Sequence, residues 1–181
     1  MKELNRREFL ALTGAAVVAL SLAGCDDGPY APPAPPAPPA PATPKDAKVL
    51  EALNLYRGKL SPLTLDSGLN KAAEEVAKIA KGEMEYNPEN MKALSAAYTY
   101  YDGLCAPIGV HADNDGTHVT PLCVYSDNAE LMAQNLDNQL DESAKANLKS
   151  PAIKLVNIKT FEYSGTTYWV ALIAESKKVT T

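Results

Sequence analysis

The sequence is poor in histidine and in basic residues. It contains two histidines, His111 and His118, and 17 Lys and Arg against 22 Asp and Glu, a formal charge of −5. So few imidazoles make a Ser-His-Asp triad hard to build, and no phosphate-cradling glycine loop or dinucleotide fingerprint occurs. Because phosphate binding needs a basic face, we expect no nucleic-acid partner.

Proline is scarce outside one segment of the chain. Nine of the 14 prolines lie between Pro29 and Pro44, in a chain of 181 residues that is long enough for one ordinary domain. We therefore divide the sequence into a leader at 1–24, an Ala/Pro-rich stalk at 25–45 and one folded domain at 46–181. The stalk repeats Ala-Pro-Pro, which favours an extended polyproline II spacer, the alternative being a ligand for a proline-reading domain.

The leader has the features of an export signal. Its apolar run, Phe9 to Ala23, is shorter than the roughly 20 residues of a permanent membrane span. The segment around Arg6 and Arg7 resembles the twin-arginine export motif, and Leu-Ala-Gly-Cys ending at Cys25 resembles a lipobox; an ordinary secretory signal with a chance cysteine is the alternative. We expect Cys25 to become the mature N-terminus, carrying diacylglycerol and a further acyl chain such as palmitate, which together anchor the protein stably to a membrane.

Periodicity in the remaining sequence predicts helices first and a β-hairpin last. Apolar residues at helical spacing predict a helix over 49–60, a second from a cap at Asp66 to Gly82, and a third that starts at Asp127 with a capping box to Glu130. Strands are expected at 97–101, 118–125, 155–163 and 166–174, the last two joined by Ser164-Gly165. The sum is an α/β fold of the α+β type, a three-layer α/β/α arrangement around a small antiparallel sheet.

Motifs at both ends of this domain resemble the CAP superfamily, which comprises the cysteine-rich secretory proteins, antigen 5 and pathogenesis-related 1. The first helix ends in Tyr56-Arg57, and a PLTLD segment leads into a helix that starts LNKAA at Leu69. A late Ala-Asn-Leu at 146–148 and a closing TTYWV strand at 166–170 agree with the family as well. The resemblance implies an αβα sandwich and an extracellular or envelope role for a degenerate bacterial lipoprotein member.

This sequence differs from the family at the residues that line the family's cleft. Many members carry two histidines and two glutamates around a cleft, a set that can bind a divalent metal. Here Tyr86, after Glu85, stands nearest one histidine position, and Ala144 occupies the other. Since alanine cannot ligate a metal, we expect a degenerate cleft at Glu85, Tyr86 and Ala144 with no metal site, no cofactor and no enzymatic activity.

Two further groups of residues have both a functional and a structural interpretation. His111 and His118, with Asp113 and Asp115, could in principle form a metal site, but Asn114-Asp115-Gly116 is typical of a turn, so we interpret the segment as an exposed hairpin tip. Cys105 and Cys123 flank that loop in a chain that carries an export signal, and we predict a disulfide between them rather than a reactive or metal-binding thiol pair.

Three tyrosines, Tyr98, Tyr100 and Tyr101, lie in the strand expected at 97–101. Alternation would bury the first two on one face and turn Tyr101 to the other, so core packing is favoured over an aromatic ligand surface.

Together these features predict a lipoprotein of the cell envelope, anchored at Cys25 and facing the periplasm or exterior. Its CAP-like domain is expected to be a non-catalytic binding or adhesion module for a glycan, a lipid or a protein. A metal-dependent hydrolase and a purely structural envelope component are the alternatives.

Overall fold

The computed structural model describes residues 43–113 and 118–178. The predicted export signal with Arg6 and Arg7, the predicted lipidation site Cys25, most of the predicted stalk and the predicted Asn-Asp-Gly turn lie outside this part of the chain. The described residues form a mixed α/β fold, as predicted. In chain order the elements are α1 Pro44–Arg57, β1 Thr64–Leu65, a 3-10 helix Ser67–Leu69, α2 Asn70–Ala80, α3 Lys92–Tyr100, β2 Tyr101–Ile108, β3 Val110–Ala112, β4 Val119–Pro121, β5 Cys123–Val124, α4 Ala129–Gln139, α5 Glu142–Leu148, β6 Leu155–Tyr163 and β7 Thr166–Lys177.

The main sheet has the order β1-β6-β7-β2, and β5 pairs with β7 as well. The pairs β6–β7, β2–β7 and β5–β7 are antiparallel, whereas β1 pairs with β6 in parallel. The expectation of a purely antiparallel sheet is therefore wrong at this edge. A parallel neighbour needs a long crossover instead of a turn, and the described residues between β1 and β6 include four α-helices.

The predicted β-hairpin is confirmed as β6 and β7. Its two-residue turn has positive φ at both central positions, 49° at Ser164 and 78° at Gly165, which is the requirement of a type I′ turn. β7 continues three residues beyond the predicted end, because Tyr101 and Asp102 of β2 pair with Lys177 and Ser176.

Alternate residues of the central strand β7 belong to two separate hydrophobic cores. Trp169, Ala171 and Ile173 join the first core together with residues of α1, α4 and α5. Val170, Leu172 and Ala174 join the second core together with residues of α2 and α3. Successive side chains of a strand point to opposite faces, so the two cores mark the two faces of the sheet. β7 is therefore buried on both faces from Trp169 to Ala174.

The first helix starts two residues before the predicted domain boundary. Thr43 caps α1 through a capping box with Asp46, whose amide donates to Thr43 Oγ1 at 3.1 Å. Lys45 joins this helix start to the end of the hairpin, because its Nζ lies 3.2 Å from Glu162 Oε1 and 3.3 Å from Thr167 Oγ1.

The other two predicted helices are present with altered starts. The apolar residues at helical spacing in the second helix all lie in the second core: Leu69, Ala72, Ala73, Val76, Ala77 and Ala80. Asp66 caps a 3-10 turn by accepting from the amide of Gly68 before α2 proper begins. The capping box predicted at Asp127 is wrong, because Asn128 caps α4 by accepting from the amide of Leu131 at 3.0 Å.

Two predicted strands differ from the structure. The segment 97–101 is mostly helical, since α3 continues to Tyr100 and β2 begins only at Tyr101. The strand expected at 118–125 is divided into β4 and β5, which belong to different sheets. No helix in the described ranges is long and apolar enough to cross a membrane.

Candidate functional site

The loop that carries Glu85 and Tyr86 is fixed where it leaves α2. Gly82 has φ +73°, its amide donates to Ile79 O at 2.9 Å, and the amide of Glu83 donates to Lys78 O at 2.9 Å. This pair of hydrogen bonds is the Schellman motif, which needs a residue of left-handed conformation and so favours glycine. The helix therefore ends at a defined point, and the chain turns sharply before Glu85.

Polar side chains hold the rest of this loop. Asn87 Oδ1 accepts from the amide of Asn90 at 3.0 Å, and Asn90 Nδ2 donates to Glu85 O at 3.0 Å. Farther along, Glu75 of α2 accepts from the amides of Ala93 and Leu94 at 2.8 and 2.9 Å and so caps α3. The loop is thus anchored to α2 at both ends.

A cleft of about 510 Å³ lies beside this loop. Residues from three parts of the chain line it: the end of α2, the loop, and the strands β4 and β6. The described lining residues are Ile79, Ala80, Gly82, Met84, Glu85, Tyr86, Asn87, His118, Val119, Thr120 and Tyr163. None of them is Lys or Arg, so the described wall offers a carboxylate, an imidazole, an amide, hydroxyl groups and two tyrosine rings.

A smaller apolar hole of about 90 Å³ adjoins the cleft. The two share Ile79, Tyr86 and Val119 in their walls. Apolar side chains of α2, α3, β2 and β3 make most of the remaining lining, with Tyr98 at its edge. Partial burial raises the pKa of Tyr98, with smaller contributions from Cys105 and Tyr86. The combined site therefore has a polar part and an apolar part.

The structure brings together two of the three predicted cleft residues. Glu85 and Tyr86 line the same cleft, next to α2 and on the side of the second core. Ala144 lies on α5 and packs against the first core, and its amide donates to the capping carboxylate of Asp141 at 2.7 Å. The predicted grouping of Ala144 with Tyr86 is therefore wrong, because the sheet separates the two cores.

The predicted disulfide between Cys105 and Cys123 is absent, and both thiols are free. Cys105 pairs with Ala174 of β7, whereas Cys123 pairs with Trp169, five residues along the same strand. Five steps of an antiparallel strand span about 17 Å and end on the opposite face, whereas a disulfide needs Cα atoms about 4.4–6.8 Å apart. In accord with this, Cys105 packs against the second core and Cys123 lies within the first.

The segment with both histidines has the paired strands of a hairpin. β3 and β4 are antiparallel, with His111 opposite Thr120, and Asp113 N donates to His118 O at 2.9 Å. His118 Nδ1 lies 4.0 Å from Asp113 Oδ2. Within residues 43–113 and 118–178, no group of three or more His, Cys, Asp or Glu side chains is placed to hold a metal ion.

The tyrosine cluster has the reverse of the predicted burial. Tyr98 and Tyr100 on α3 are 47% and 51% exposed, whereas Tyr101, the first residue of β2, is only 2% exposed. The Tyr101 hydroxyl donates to Asp66 Oδ2 at 3.0 Å, a carboxylate that also accepts from Lys177 Nζ at 2.9 Å. Core packing thus applies to Tyr101, and Tyr98 is free to line the apolar hole.

The Tyr56-Arg57 pair that supports the family resemblance joins α1 to the segment after α5. Arg57 is 4% exposed, and its guanidinium donates to the carbonyl oxygens of four residues: Ser61, Leu148, Ser150 and Ile153. Tyr56 donates to Asp137 Oδ1 at 2.6 Å, and this hydrogen bond holds the pKa of the Asp137 carboxyl below its usual value. Both residues have structural roles on the face opposite the cleft.

Sequence reasoning missed the cleft residues that come from distant parts of the chain. Tyr163 ends β6, and Val119 and Thr120 belong to β4, whose approach to the α2 loop is a tertiary feature. The only local feature of the sequence that could have indicated one of these cleft residues was a tyrosine, Tyr163, next to a hairpin turn. A scan of the chain against protein-family models found no match, and a search of curated proteins found none that is similar.

Proposed function

We propose that this chain is a lipoprotein of the bacterial cell envelope whose folded domain is a non-catalytic binding or adhesion module. The membrane anchor of the proposal depends on Cys25, and export depends on Arg6 and Arg7 in the leader. Both features come from sequence motifs. An acylated N-terminal cysteine with two or more chains would hold the protein on the membrane, facing the periplasm or exterior.

We further propose that the domain is a three-layer α/β/α sandwich of the CAP type. Three observations support this: helices share a core with each face of β7, the first helix of the described residues ends in Tyr56-Arg57, and their last two elements form a β-hairpin. Arg57 is buried and donates hydrogen bonds to four carbonyl oxygens, which gives the Tyr56-Arg57 motif a structural role. The parallel pairing of β1 with β6 departs from the purely antiparallel sheet that we expected.

The cleft at Tyr86 is the observation that carries the binding function. Its volume of about 510 Å³ falls within the range of roughly 300–1,000 Å³ that is usual for ligand sites. Loop hydrogen bonds and the cap from Glu75 fix its wall before any ligand arrives, which reduces the entropy cost of binding. These hydrogen bonds therefore support a cleft whose loop wall is formed before the ligand binds.

A sedimentation experiment tests this proposal. The full chain carrying Cys25→Ser, purified without lipid, is mixed with insoluble envelope material from an exporting bacterium, and the bound fraction is measured. We expect saturable binding that Tyr86→Ala weakens at least tenfold. Tyr100→Ala is the control, because it removes the same side chain from an exposed position that lies outside the cleft.

Two outcomes contradict the proposal. Binding that is absent, or that Tyr86→Ala leaves unchanged, would favour a purely structural envelope component. Release of soluble fragments from the envelope material during incubation, abolished by chelators, would favour the metal-dependent hydrolase.

A further inference from the structure

The polar cleft and the apolar hole share one wall, and this suggests a ligand with two chemical parts. Tyr86, Ile79 and Val119 border both spaces, so a group bound in the cleft can extend a small substituent into the hole. The hole, at about 90 Å³, is several times larger than the roughly 10–15 Å³ that one water needs. It can therefore take a compact apolar group of several atoms.

The charge of the cleft argues against anionic ligands. None of its described lining residues is Lys or Arg, and Glu85 contributes a carboxylate. Phosphate and carboxylate groups are recognised in proteins by cationic side chains, which are absent from this described wall. The ligand that complements it is neutral or cationic.

The remaining lining favours a neutral ligand with many hydroxyl groups. Thr120, Asn87 and the tyrosine hydroxyls offer both donors and acceptors, and the Glu85 carboxylate accepts. Tyr86 and Tyr163 add aromatic faces from opposite parts of the chain, which can pack against C–H groups. Tyr163 is held edge-on to Tyr168, with ring centroids 6.1 Å apart, so its ring is positioned in advance.

We infer that the cleft binds a neutral saccharide that carries an acetylated amine, with the acetyl methyl group in the apolar hole. This inference rests on the proposed binding function and names its ligand class. The hole requires a compact apolar group that is joined to a part bound in the polar cleft. The acetyl group satisfies this requirement, because its methyl end is small and apolar and it is attached to a polar sugar ring. Acetylation also removes the positive charge of the amine.

Three trisaccharides test the inference by calorimetric titration of the full chain carrying Cys25→Ser. They are chitotriose, the N-acetylglucosamine trimer; the glucosamine trimer, which is cationic; and cellotriose, which has hydroxyl groups in place of the amines. We expect one chitotriose per chain, bound about fourfold or more tightly than cellotriose, the factor for burying one methyl-sized group. The glucosamine trimer should bind no more tightly than cellotriose.

Three single-residue variants test whether the acetyl group binds in the apolar hole. Ala112 lines the hole, is exposed and belongs to neither core, so we expect the larger side chain of Ala112→Leu to occupy the hole without disturbing either core. It should reduce chitotriose affinity to that of cellotriose while leaving cellotriose unchanged. Tyr163→Ala should weaken both sugars, whereas Tyr100→Ala should weaken neither.

The inference is overturned if chitotriose does not bind, or if cellotriose binds equally well. Tightest binding of the glucosamine trimer would assign the cleft to organic cations and would also overturn it. If envelope material binds through Tyr86 but no trisaccharide does, the ligand class is wrong and the binding function stands. If neither binds, the proposed function fails as well.

Discussion

Replacing Arg57 with methionine should destabilise the domain strongly. Two of its four hydrogen bonds, to Leu148 O and Ile153 O, are buried, whereas the carbonyls of Ser61 and Ser150 are partly open to water. A buried acceptor left without a partner costs about 1–3 kcal/mol, which gives about 2–6 kcal/mol for the two. Removing the buried charge recovers some desolvation energy, so we expect a net loss of about 2–4 kcal/mol.

Trp169 provides the probe for this measurement. It is the single tryptophan of the chain and is fully buried in the first core, so its fluorescence reports unfolding of the domain. With a urea m-value of about 2 kcal/mol/M, the loss lowers the midpoint of unfolding of the Arg57→Met variant by about 1–2 M at unchanged m. The free energy of unfolding then follows from the midpoint shift.

Two further variants make the result specific. Arg57→Lys keeps the charge but not the planar fork that reaches several carbonyls, so its midpoint should lie between those of wild type and Arg57→Met. Lys48→Met removes an exposed ion pair with Glu51, with Nζ 2.7 Å from Oε2, and should cost less than about 1 kcal/mol. Equal midpoints for Arg57→Met and Lys48→Met would refute the reasoning.

Three further predictions concern the cysteines and metal binding. Cys25→Ser should abolish metabolic lipid labelling and move the protein to the soluble envelope fraction; labelling that persists would contradict the anchor. Burial raises the pKa of Cys105 to about 11 and of Cys123 to about 12, and the thiolate is the reactive form. At pH 8 both thiols should therefore be alkylated more slowly in the folded protein than in urea, and the alkylation rate of Cys105 should increase as the pH rises towards 11. If mass spectrometry of unreduced peptides finds a disulfide between Cys105 and Cys123, that result would contradict the strand register. Zinc titration should show no stoichiometric site of micromolar affinity; such a site, lost on His111→Ala or His118→Ala, would favour the metal-dependent class.

The sequence correctly predicted the helices and strands that are determined by residues close together in the chain. The hairpin follows from β-branched and aromatic residues on both sides of Ser164-Gly165, and the apolar face of α2 follows from residues spaced along one helix. The helix α3 was missed because its N-terminal cap comes from Glu75, 18 residues before Ala93. Without that carboxylate, tyrosines at 98, 100 and 101 favour a strand.

The candidate site was predicted only where its residues are close in sequence. Glu85 and Tyr86 are adjacent in one loop, so they lie close together however the rest of the chain folds. Ala144 and the cysteine pair depended on which face of the sheet each element covers, and sequence spacing does not contain that information. A shift of one residue in strand register exchanges the faces, which is why a loop length compatible with a disulfide did not imply one.

The contact between Lys45 and the hairpin end has a consequence for what the protein can reach. It places the point where the chain enters the domain at the same end of the sheet as Tyr163, a wall residue of the cleft. Eighteen residue steps separate Cys25 from Thr43, and a chain of that length spans at most about 65 Å when fully extended. If Cys25 is acylated as proposed, the length of this segment would limit how far from the membrane the cleft can bind a ligand.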